Sequence, residues 1–183
     1  MRAFGLMLAG IVLLALPATA ALASQTIALP DKSDTIIMPS GSPLHFHAFN
    51  TENGATFDGP VMISGTYYYG NNPIDDGEPL ERALYFMPDK ASAARLPRFG
   101  DHGQPTSIFV ENSTAFAKAV IPATTLAQFK RNSAKYVSGE ADIWVDHFEV
   151  SIECDTPSFT AHFLSVAHPP QRLAMADMPD TGC

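Results

Sequence analysis

Two histidines one residue apart, His45 and His47, carry the sharpest hint of chemistry in this chain. On a β-strand, residues two apart share a face at a separation of roughly 6.5 to 7 Å. Two imidazoles so placed can close on Zn or Cu. A further ligand would come from His102, His147, His162, His168 or a carboxylate. The competing reading is a pair of histidines on a strand surface. The second feature is acidic: six acids fall between Glu140 and Asp155, and no Lys or Arg occurs between Lys135 and Arg172. On a strand, Glu149, Glu153 and Asp155 alternate outward. Neighbouring outward carboxylates approach the spacing of an inverting glycosidase pair, but every strand offers that spacing, and no cleft or aromatic sugar platform is legible beside it. The run reads as a negative face, either solvated or complementary to a cationic partner.

The third feature is Ser64-Gly65-Thr66-Tyr67-Tyr68-Tyr69. Tyrosine supplies a large contact area at low entropic cost and concentrates at binding surfaces. Neighbours on a strand point to opposite sides, so at least one of Tyr67, Tyr68 and Tyr69 faces away from the core. Ser64, Gly65 and Tyr68 form a Ser-Gly-x-x-Tyr motif that resembles the recognition loop of the periplasmic lysozyme inhibitors. The resemblance spans five residues and implies a class of function, the masking of a basic cell-wall hydrolase. Candidate partner contacts are therefore Ser64, Gly65, Tyr67, Tyr68, Tyr69, Glu149, Glu153 and Asp155.

Catalytic signatures are missing from the sequence: it has no G-x-S-x-G, S-x-x-K, H-E-x-x-H, C-x-x-C, P-loop or G-x-G-x-x-G. We read a non-enzymatic binding protein. With 11 basic against 19 acidic residues, a net charge of -8 and a pI near 5.0, the chain lacks the clustered cations that neutralise nucleic-acid phosphates. A basic protein is the fitting partner. The alternatives are a metal-binding protein built on His45 and His47, with Zn or Cu, and a structural envelope component with no discrete ligand.

Compartment follows from the first residues. Arg2 precedes an apolar run from Phe4 to Leu16, Pro17 breaks it, and Ala21-Leu22-Ala23 offers the small residues a signal peptidase reads. The run is shorter than the roughly 20 residues of a spanning helix, so residues 1 to 23 read as a cleaved signal, with no stable membrane insertion of the mature chain. Its removal takes Arg2 and no acid, leaving 10 basic against 19 acidic groups and a net charge of about -9. Export suits pairing of Cys154 with Cys183, which would staple the C-terminal tail across 29 residues. The chain-entropy model assigns such a loop roughly 3 to 4 kcal/mol.

Period-two patterns bounded by Gly, Pro, Asn and Asp must position these residues. Strands are expected at Thr35 to Met38 (an edge), Leu44 to Phe49, Val61 to Tyr69, Ala83 to Met87, Ser107 to Val110 and Phe159 to Val166. Residues 88 to 106 read as loop. Between Ala141-Ile143-Val145 and Phe148-Val150-Ile152 the apolar phase slips by one at Asp146-His147, which predicts a β-bulge. One helix is expected from Thr124 or Thr125 through Lys135, while Ala115 to Ile121 reads equally as helical turn or strand. The expectation is a mainly β fold, a β-sandwich or small barrel with one short helix. It occupies residues 24 to 170 and is followed by a tail over 171 to 183.

Overall fold

The computed structural model describes residues 23–30, 34–51, 53–71, 82–100, 102–129, 136–153 and 156–176. Residues 1–22, the Asn72 to Glu81 connection, Lys130 to Lys135, Cys154, Asp155 and Cys183 lie outside them. So do the expected signal and the expected disulfide.

The chain is mainly β. In order it forms β1 (Gln25–Ala28), β2 (Thr35–Met38), β3 (His45–Phe49), β4 (Ala55–Asp58), β5 (Val61–Asn71), β6 (Arg82–Pro88), α1 (Lys90–Ala93), β7 (Arg98–Phe99), β8 (Ile108–Glu111), α2 (Ser113–Val120), α3 (Ala123–Phe129), β9 (Tyr136–Glu153) and β10 (Thr156–Ala176). The pairings β5–β6, β6–β8, β8–β10, β10–β9 and β9–β5 form a closed ring. Where they pair on both sides, closure leaves these strands without a free edge, although β10 outruns its β8 partner. The β8–β10 pair is parallel and the others are antiparallel. Along the edge of β9 that β5 occupies, β4 continues end to end with β5, and β3 pairs outside β4.

The period-two pattern explains which faces close inward. Val61, Ile63, Tyr67 and Tyr69 of β5 are buried, as are Ala141, Ile143, Val145, Phe148 and Val150 of β9. They join Leu84 and Phe86 of β6 and Ile108 and Val110 of β8 in one core. The bulge expected at Asp146-His147 is present: Asp146 opposes His162 and Glu149 opposes Thr160, so β9 holds an extra residue, and His147 takes the left-handed backbone with φ of 49°. Both apolar phases thereby reach the same core.

Among the described residues there are three short helices, of which α3 overlaps the one expected. Their residues face inward in α2, where Phe116, Ala117 and Val120 are buried. The Phe116 ring meets Tyr67 edge-on at 4.9 Å and Phe163 at 5.4 Å. The apolar spacing of Ala115 to Ile121 could not separate helix from strand; burial of Phe116 against the ring interior does. α3 begins at Ala123, with Leu126 N–H donating to the Pro122 carbonyl. The loop reading of residues 88 to 106 also gives way, to α1 and β7. β7 pairs with β2, so Thr35 to Met38 is the centre of a three-stranded sheet, not an edge. Ordered strand runs past Pro170 to Ala176 in β10. Among the described residues, β10 beyond Phe163 pairs with β9 alone, and an edge without a second partner tolerates prolines that have no N–H to give.

Candidate functional site

The alternation of β5 sets Ser64, Thr66 and Tyr68 on the face opposite the buried Ile63, Tyr67 and Tyr69. Register then assembles a site. Ser64 opposes Asp142, Gly65 opposes Ala141 and Thr66 opposes Glu140 on β9, while His168 of β10 opposes Asp142 from the other side. These residues and Asp89 line a groove of about 360 Å³. Three carboxylates and a histidine therefore surround the Ser-Gly step.

Short-range bonds hold the groove wall. The Ser64 N–H donates to Ser92 Oγ at 2.9 Å, and the Ser64 carbonyl accepts from the Asp89 N–H at 2.8 Å. Asp89 caps α1 through its side chain, accepting from the Ser92 N–H at 2.7 Å, and Arg95 donates to the Met62 carbonyl at 2.7 Å. A four-residue helix is thus docked on β5 at the motif serine. Gly65 has a plain steric reason to be glycine: a Cβ there would lie 2.1 Å from the Met87 carbonyl oxygen. Strands β5 and β6 approach too closely for any side chain.

The electrostatics centre on Asp142. The Ser64 hydroxyl, donating a hydrogen bond, is the largest influence on its carboxyl; burial pushes the other way, and His168 adds a hydrogen bond and its charge. The balance holds the Asp142 carboxyl below the usual carboxylate range. His168 Nδ1 lies 2.8 Å from Asp142 Oδ2. Ser64, Asp142 and His168 contain the residue types of a hydrolytic triad in the wrong order. In a triad the imidazole stands between hydroxyl and carboxylate and takes the hydroxyl proton. Here the carboxylate stands between the other two, so the Ser64 hydroxyl faces Asp142 and not the His168 imidazole, and the set can bind and orient a cation.

The structure separates the residues singled out in the sequence. Tyr67 and Tyr69, at 0% and 6% exposure, are in the core, so neither ring is open to a partner. Burial raises the Tyr67 pKa to about 12, and its hydroxyl is buried without a hydrogen-bond partner among the described residues. Tyr68 points outward, half-buried, opposite Tyr85, which in turn meets Phe109 edge-on at 5.7 Å. Glu149 is not at the groove. It lies seven positions along β9 from Asp142, about 20 Å at strand rise, and accepts from Asn50 Nδ2 at 2.6 Å. Glu153 ends β9, with its side chain outside the described residues, and Asp155 lies outside them altogether. In the sequence Glu140 and Asp142 stand out only as part of an acidic run, His168 only as one of several candidate metal ligands, and Asp89 not at all. Pairing Val61 to Tyr69 with Gly139 to Val145 in register was the step needed to find them.

The histidines divide differently than expected. His47 is the extra residue of a bulge in β3, between the pairs Phe46–Phe57 and Ala48–Thr56. Its Nδ1 lies 2.7 Å from Asp58 Oδ2, and His147 Nδ1 lies 3.2 Å from Asp58 Oδ1. A second imidazole, that of His147, is thus delivered beside His47 by the other bulge, with the two ring centroids 6.5 Å apart. Among the described residues, no three His, Cys, Asp or Glu side chains form a ready set of metal ligands. His162 Nδ1 stands 3.4 Å from Asp146 Oδ1, an ion-pair contact without a hydrogen bond. Among the described residues, no helix is long and apolar enough to cross a membrane. No family model, curated protein or solved structure matches this chain.

Proposed function

We propose that this chain is an exported binding protein that recognises a basic protein of the cell-wall hydrolase class, taking a cationic side chain into the groove beside Ser64 and Gly65. The observation that carries the reading is the convergence of Asp89, Glu140 and Asp142 on the Ser-Gly step. A guanidinium or ammonium group finds there several carboxylate acceptors, the strongest class of hydrogen-bond partner. Trp144, two residues from Asp142 and 38% exposed, and outward-facing Tyr68 add apolar contact area beside the charge. The overall negative charge steers a cationic partner toward the groove. In an oxidising compartment Cys154 and Cys183 would be paired, so the reading expects no free thiol in the purified protein.

Calorimetric titration of the full chain with a basic lysozyme, together with a peptidoglycan-hydrolysis assay, tests this. Near-equal stoichiometry is expected, with weaker binding between 0.1 and 1 M salt as the Debye length falls from about 10 to 3 Å. Combined Glu140→Gln and Asp142→Asn substitution weakens binding at least about tenfold. Glu149→Gln, remote from the groove, changes it less than about twofold. Binding that ignores both salt and the groove substitutions overturns the reading, as does no binding to any basic hydrolase of the same envelope.

A further inference from the structure

We propose that His47 and His147 form a binding site for a borderline divalent transition metal, Zn²⁺ or Cu²⁺, with Asp58 as the carboxylate that orients both rings. The inference is independent of the groove. It begins from Asp58, which receives one imidazole nitrogen on each of its oxygens, His47 Nδ1 on Oδ2 and His147 Nδ1 on Oδ1. An ionised carboxylate only accepts hydrogen bonds. Each neutral ring facing it must therefore carry its proton on Nδ1, which leaves the Nε2 lone pair of each ring free. Metal-bound histidines in proteins show this same division of labour, with one nitrogen on the metal and the other N–H held by a carboxylate. Two such rings, 56% and 57% exposed, stand with centroids 6.5 Å apart.

Geometry also accounts for the missing third ligand. Two imidazoles on one tetrahedral ion with metal–nitrogen bonds of about 2.0 to 2.1 Å bring their ring centres to roughly 5 Å. The rings must therefore close by about 1.5 Å from their 6.5 Å separation, a movement available to half-exposed side chains. The remaining positions go to water, which leaves an open coordination sphere. Backbone construction favours the site as well. His47 is the extra residue of one bulge and His147 of another, and His147 accepts a left-handed φ of 49°. Bulges re-aim side chains and cluster at functional sites, and here two re-aimed histidines from strands otherwise separated by β4 meet over one β4 aspartate.

The test is titration of the untagged, non-reduced full chain with Zn²⁺ at pH 7.5, followed by calorimetry and by the side-chain nitrogen spectrum of histidine. One ion per chain is expected, with the Nε2 signals of His47 and His147 moving first. His47→Gln and His147→Asn each weaken binding at least tenfold; asparagine tolerates the left-handed backbone, so the bulge is kept. Asp58→Asn weakens it by about ten- to a hundredfold, the range for a lost orienting partner, and His45→Gln leaves it within twofold. No saturable binding by the wild-type chain overturns the proposal. Binding that survives both histidine substitutions does so too. Should a variant unfold, the wild-type spectrum still decides: movement confined to other histidines rejects the site.

Discussion

The groove and the histidine cluster lie on one strand, five residues apart at Asp142 and His147, and they are built by opposite means. On the side of Asp142 that faces β5 the ladder is regular, while on the β10 side the His168 pair is flanked by register shifts. Ser64 and Thr66 face Asp142 and Glu140 in unbroken register, so same-facing polar groups follow from alternation alone. At His147 the ladder is broken, the backbone turns left-handed, and a histidine 100 positions away in sequence meets it over one carboxylate. Regular pairing spreads charge into a row that suits a broad partner. A bulge gathers nitrogen donors at a point, which suits a small ligand. The first arrangement depends on how close two strands can come, the second on the handedness of one residue.

Substitutions can break that contrast, and the largest effect belongs to strand approach. Gly65→Ala drives a methyl group onto the Met87 carbonyl, and separation of β5 from β6 should cost about 3 kcal/mol, read as a lower urea midpoint. Groove binding should fall with it, while the His47 to His147 cluster is untouched. A smaller effect, confined to a pH window, is expected at Asp142. Its folded carboxyl is held below the unfolded range, so its contribution is fully present above the unfolded value near 4 and fades as pH falls through the lower folded one. Thermal melts of wild type and Asp142→Asn should differ at pH 7 and converge at strongly acid pH. Divergence on acidification would reverse the assigned sign. The smallest change is expected from His147→Gly. Relief of the left-handed backbone offsets the lost Asp58 contact, leaving net stability within about 1 kcal/mol by chemical denaturation and partner binding unchanged.

Much of this was legible in the sequence wherever alternation was regular. The buried faces of β5 and β9 follow from Val61-Ile63-Tyr67-Tyr69 and Ala141-Ile143-Val145, and the phase slip announced the His147 bulge. Legibility stopped where position depends on which strand lies beside which. The choice of Glu149 over Glu140 and Asp142 shows this, because outward-facing acids along a strand look alike until register brings Ser64 to Asp142. Tyr67 and Tyr69 looked suited to an interface, yet two of three consecutive tyrosines had to turn inward, where Phe116 packs on one of them. The spacing assumed for His45-x-His47 is that of a regular strand, and β3 carries a bulge at His47. A two-residue β7 and a four-residue α1 are too short to carry a periodic signal at all.

The ring that positions both sites also dictates the order in which the chain can acquire them. Ala55 pairs with Val150, and β8 finds its parallel partner only in Thr160 to His162 of β10. Contacts so distant in sequence must overcome loop-closure entropy before they yield any stability, which places such topologies toward the slow, millisecond-to-second end of folding. The ring therefore stays open until its C-terminal strands have been made, and before then the chain can form only local hairpins such as β3–β4 and β5–β6.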